Sequence, residues 1–85
     1  TKYEITLMVE FMDRVGLLRD ILMELAKYNV NLVTIKVLPK NAQGLVTDEL
    51  VLEVSTVDQI ASLTDALLVI PGVVKAYQLL STLKQ

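Results

Sequence analysis

The residues able to do chemistry gather in one run, Glu10-Phe11-Met12-Asp13-Arg14-Val15-Gly16-Leu17-Leu18-Arg19-Asp20-Ile21. Asp13 supplies a carboxylate placed to cap the following helix by accepting a backbone N–H from Val15 or Gly16. Gly16 lacks a Cβ, so a ligand or another backbone can approach the first helical turn closely. A helix start offers unpaired N–H groups and partial positive charge, which suits a carboxylate. Arg14 and Arg19 add two cations beside it. This is the chemistry of holding a ligand, not of making bonds. The plain alternative is a capped turn with solvated charges. Asn31 is the second polar candidate. It is expected at the same end of the first helix as Asp13, where both side chains contact a small polar ligand; local turn bonding is its plain alternative. Asp48 and Glu49, adjacent acids on a strand, read as a solvated face.

Composition narrows the chemistry further. The chain has no cysteine and no histidine, which excludes disulfides, thiolate nucleophiles, zinc sites and histidine bases. No cofactor and no metal are expected. A formal net charge of −2 without runs of like charge argues against nucleic acid and anionic membranes as partners. No apolar window approaches the roughly 18 residues of a membrane span, and no signal peptide is visible. With cysteine absent as well, a cytoplasmic location is expected. Hydrophobic residues make up 53% of the 85, above the usual share, and a chain this short leaves much of its surface exposed. Some of them should therefore face a partner. The first residue is Thr1, which suggests a domain excised from a larger protein. Residues 1–85 are read as one domain with its core in 3–80.

Those residues need elements to position them. Alternation of Tyr3, Ile5, Leu7 and Val9 with Glu4, Thr6, Met8 and Glu10 predicts a half-buried strand over 1–10. Leu18, Ile21, Leu22 and Leu25, flanked by Leu17 and Ala26, predict an amphipathic helix, with Asn29 as its left-handed stop. Val30 to Leu38 is rich in β-branched residues, and its two conflicting phases call for a bulge near Val33. Residues 39–44 form a turn. Leu45 to Val54 alternates again, with Val46, Leu50, Leu52 and Val54 on one side. Thr56-Val57-Asp58-Gln59 is a capping box opening a second helix with Ile60, Leu63, Leu67 and Ile70 inward. Pro71-Gly72 ends it, Val73 to Leu80 is the last strand, and Ser81 to Gln85 reads as a frayed tail.

The order β-α-β-β-α-β most simply gives a ferredoxin-like α+β sandwich, with both helices on one face of a four-stranded antiparallel sheet. Strands one and three then lie in the middle, and strands two and four are open edges that invite dimerisation. Several functions use this fold. RNA-binding versions stack bases on outward aromatic residues, but here those positions carry Glu4, Thr6, Met8, Glu10, Thr47, Glu49, Val51 and Glu53. Metal-carrying versions need cysteines. Arg14 and Asn31 imitate a phosphoryl-holding pair, yet a glycine-rich cradle is missing. Catalysis is not expected.

The run Asp13-Arg14-Val15-Gly16-Leu17-Leu18, followed by Val30-Asn31-Leu32 and Ile70-Pro71-Gly72-Val73, resembles the ACT domain family. The resemblance spans Tyr3 to about Leu80. It implies a regulatory module, attached to a catalytic domain, that pairs with itself or a sister domain and binds an amino acid or other small molecule at their seam. It also implies that ligand contacts come from the loop Asp13-Arg14-Val15-Gly16-Leu17 and from Asn31. Phe11 stands where some members have histidine, Val15 where proline is common, and Asp13 where asparagine is common. Within the family, Asp13 to Ile21 is most similar to the C-terminal ACT domain of bifunctional guanosine tetraphosphate synthetase/hydrolases, the GTP pyrophosphokinases of the stringent response. The runner-up reading is a ligand-free protein–protein module.

Overall fold

A computed structural model describes residues 1–80; the tail expected over 81–85 lies outside the described residues. The elements run β1 (Tyr3–Met12), α1 (Leu17–Lys27), β2 (Asn31–Leu38), β3 (Leu45–Val54), α2 (Val57–Leu68) and β4 (Val73–Leu79). The sheet order is β2-β3-β1-β4, and every neighbouring pair is antiparallel. This is the ferredoxin-like sandwich that the element order predicts, with β1 and β3 central. Among the described residues no helix is long and apolar enough to cross a membrane.

One sheet face meets the helices and carries the core. Ile5, Leu7, Val9 and Phe11 of β1 and Val46, Leu50, Leu52 and Val54 of β3 pack against Leu17, Ile21 and Leu25 of α1 and Leu63 and Leu67 of α2. The opposite face carries Glu4, Thr6, Met8 and Glu10 beside Val51, Glu49 and Thr47 and beside Tyr77 and Lys75. That face has no cover within the described chain.

Three local details depart from the sequence reading. The first strand ends at Met12, two residues later than expected, because Met12 still pairs with Leu45 and its N–H donates to the Gly72 carbonyl at 2.8 Å. The buried stripe of α1 is Leu17, Ile21 and Leu25 alone. Leu18 and Leu22 are 45% and 39% exposed, since they flank that stripe on a side the described chain leaves open. Asp13 is not the cap of α1. The helix starts from Gly16, whose left-handed φ of 84° receives no side-chain cap bond, and Asp13 lies too early in the loop to serve.

Other expectations hold. The β2–β3 register shifts between Leu32 and Thr34, so Val33 is bulged. Asn29 has φ 57°, and the N–H groups of Asn29 and Val30 close a paired C-terminal cap on Ala26 and Leu25. The capping box at Thr56 and Gln59 forms. The Gln59 amide also donates to the Tyr28 carbonyl at 3.1 Å, fastening the end of α1 to the start of α2.

Candidate functional site

The site is built where β1 turns into α1. Gly16 bends the chain left-handed, a conformation that L side chains rarely adopt. The first helical bond runs from the Asp20 N–H to the Gly16 carbonyl, and the Leu17 N–H donates to Arg14. Helix geometry leaves the N–H groups of Leu18 and Arg19 without intrahelical acceptors.

Arg14 holds the corner in shape. Its Nε donates to the Pro71 carbonyl at 2.8 Å, 57 residues away. Its Nη1 reaches the Val15 carbonyl, and its Nη2 donates to Asp20 Oδ2 at 2.8 Å. That hydrogen bond is the main reason the Asp20 carboxyl titrates below its ordinary value. Two motifs distant in sequence, Asp13-Arg14-Val15-Gly16 and Ile70-Pro71-Gly72, thus meet through one guanidinium. Gly72 makes room for it: a Cβ there would lie 3.4 Å from both Arg14 Nε and the Met12 carbonyl.

Beside this corner lies a cavity of about 490 Å³. Asp13, Arg14, Gly16 and Leu17, four of the expected ligand contacts, line it. Val15 does not; it is 98% exposed. Asn31 does not either, and its expected meeting with Asp13 fails within one chain. Asn31 pairs with Glu53 at the far end of β2, whereas Leu38 pairs with Thr47 near the cavity. The 11 residues of α1 separate the two ends, a span of about 16 Å at 1.5 Å per residue. The Asn31 amide instead donates to Glu53 Oε1 at 3.1 Å.

One buried residue of the cavity wall was not singled out from the sequence. Asp48 lines the cavity together with Phe11, Val37 and Val46. Far from lying on a solvated face, it is 2% exposed. It sits on the helix side of β3 between Val9 of β1 and Val37 of β2. Its Oδ1 has no hydrogen-bond partner. Burial, and then the charge of Asp13, push its carboxyl above the ordinary value. The signal was present: Asp48 falls in phase with Val46, Leu50 and Leu52. Lys40, from the β2–β3 turn, was missed too and also lines the cavity.

Fold and site together define a ferredoxin-like domain with a cavity beside one helix start. The profile of the ACT domain family matches residues 1–77, and the chain belongs to that family. No curated protein sequence matches it. Among solved structures it is similar to the ACT domain from GTP pyrophosphokinase of Chlorobium tepidum. That match has 25% identity and a TM-score of 0.77, over 93% of this chain and 100% of the other. It also resembles part of a homoserine dehydrogenase from Thiobacillus denitrificans, with 16% identity and a TM-score of 0.76, over 92% of this chain and 17% of that one. A third likeness is to the C-terminal domain of the MgtC protein from Mycobacterium tuberculosis, at 16% identity and TM-score 0.74, over 89% and 84% of the two chains. ACT domains are commonly regulatory.

Proposed function

We propose that this domain binds a small effector, an amino acid, in the cavity at the start of α1 and passes its occupancy to an attached enzyme. The observation that carries the reading is the cavity itself. It is lined by apolar side chains with a few convergent polar groups, among them a buried carboxylate and an open helix start. Similarity to the Chlorobium tepidum domain favours a GTP pyrophosphokinase of the stringent response as the parent enzyme. Regulation requires that the effector prefer one of two states of the assembly.

Two copies, or one copy and a sister domain, pair in this proposal along β2. That edge and the neighbouring flank of α1 expose Leu18, Leu22, Ile35 and Val37 together. Antiparallel pairing of two β2 edges runs the start of one strand beside the end of the other. Asn31 of a second copy then comes towards Leu38 and the cavity, which restores the expected partnership of Asn31 with Asp13 across the seam. The same apolar flank supports the second reading, a module that only joins proteins.

A thermal-shift screen of the twenty amino acids, run with light scattering, separates the readings. A ligand at 100 times its dissociation constant adds about 2.7 kcal/mol. A dimeric mass with no compound moving the midpoint overturns effector binding and leaves the joining module.

A further inference from the structure

The Asp48 carboxylate has a buried oxygen that no donor of the described chain satisfies. Its strand neighbours are valines, Oδ1 is unpartnered, and the nearby guanidinium of Arg14 is committed to Pro71 and Asp20. A buried carboxylate is ordinarily hydrogen-bonded, because losing water without compensation is costly. Lys40 lines the same cavity but does not bond Oδ1, which leaves the cavity as the route by which a donor can reach it.

We propose that Asp48 is the specificity-determining residue of the effector site and receives the protonated amine of the ligand, a deduction that rests on the effector reading above. The cavity wall also carries the opposite character. There the free N–H groups of Leu18 and Arg19 and the exposed Arg19 side chain offer positive potential to a carboxylate. Between these poles lie Phe11, Leu17, Val37 and Val46, which suit an aliphatic body. The ligand class is therefore a small aliphatic zwitterion, seated with its ammonium inward and its carboxylate at the helix start. Asp13 reinforces the inner pole, since its negative charge acts on Asp48 from the rim. Among the described residues there is no group of three acids able to hold a metal ion instead.

Three probes that share one branched aliphatic body test this: L-leucine, isopentylamine, which keeps only the amine, and 4-methylpentanoate, which keeps only the carboxylate. Calorimetric affinities are measured for the 85-residue chain and for Asp48→Asn, which keeps shape and removes charge. A buried charge-assisted hydrogen bond predicts a loss of about 10- to 100-fold for leucine and isopentylamine in the variant. Binding of 4-methylpentanoate should not weaken. Leucine binding equally to both proteins overturns the role of Asp48 and leaves the effector reading standing. No binding of any probe to the unaltered chain overturns the effector reading itself. Should Asp48→Asn not fold, the unaltered chain decides alone: isopentylamine binding no better than 4-methylpentanoate refutes an amine-reading floor.

Discussion

Replacing Asp48 with valine should make the unliganded domain more stable. Asp48 is 2% exposed, between Val9 and Val37 on the adjacent strands, with one carboxylate oxygen unpartnered. An unsatisfied buried polar group costs about 1–3 kcal/mol, and a β-branched side chain suits a strand flanked by valines. Asp48→Val should therefore raise stability at pH 7 by about 1–3 kcal/mol. For a domain of this size each kcal/mol moves the midpoint by about 4–8 °C. The pH dependence carries a sign of its own. Folding raises the Asp48 carboxyl above 3.8, so the folded state binds more protons than the unfolded state just above that value. Its penalty is fully present above the folded value and is relieved as pH falls towards 3.8. The advantage of the variant should thus shrink on acidification. Of the charged groups lining the same cavity, Asp13, Arg14, Arg19 and Lys40, Asp13 repels the Asp48 carboxylate, and the variant loses that repulsion together with the burial penalty. Urea unfolding at pH 7 and pH 4 reads both quantities. A variant less stable at pH 7, or an advantage unchanged at pH 4, refutes the assignment of Asp48 as an uncompensated buried acid.

Arg14→Ala should lower stability by about 1 kcal/mol through the lost bond to the Pro71 carbonyl. The Asp20 carboxyl should move back up towards 3.8, seen by NMR titration. Gly16→Ala should cost about 1–2 kcal/mol, because φ is +84° there, with the Arg19 side chain moving aside; chemical denaturation measures it, and any effector response should fall with it. Val37→Lys places a charge on the proposed seam at a position 64% exposed in the single chain. It should turn dimer into monomer by light scattering while the monomer stays folded by circular dichroism.

The architecture was legible because its signals are local and periodic. Alternation located the strands, a hydroxyl three residues before a glutamine located α2, and the conflict of phase in Val30 to Leu38 located the bulge. The site was only half legible. Asp13, Arg14, Gly16 and Leu17 were found because a glycine corner before a helix is a sequence feature. Asp48 was missed because a carboxylate beside Glu49 resembles a solvated pair, and period two decides its face only when followed strictly through Val46 and Leu50. The distance between Asp13 and Asn31 was misjudged by neglecting that a helix carries the chain the full depth of the sheet before β2 begins.

The Arg14 guanidinium bridges two corners that the chain reaches 57 residues apart, so parting them breaks that bond. Whatever tightens the rim around a bound molecule pulls on the carbonyl of Pro71, just ahead of β4. If the proposed effector binds, this bond offers its occupancy a path along the surface that bypasses the interior. The outermost strand on the side away from β2 becomes the far arm of a short lever whose near arm rests at the mouth of the cavity.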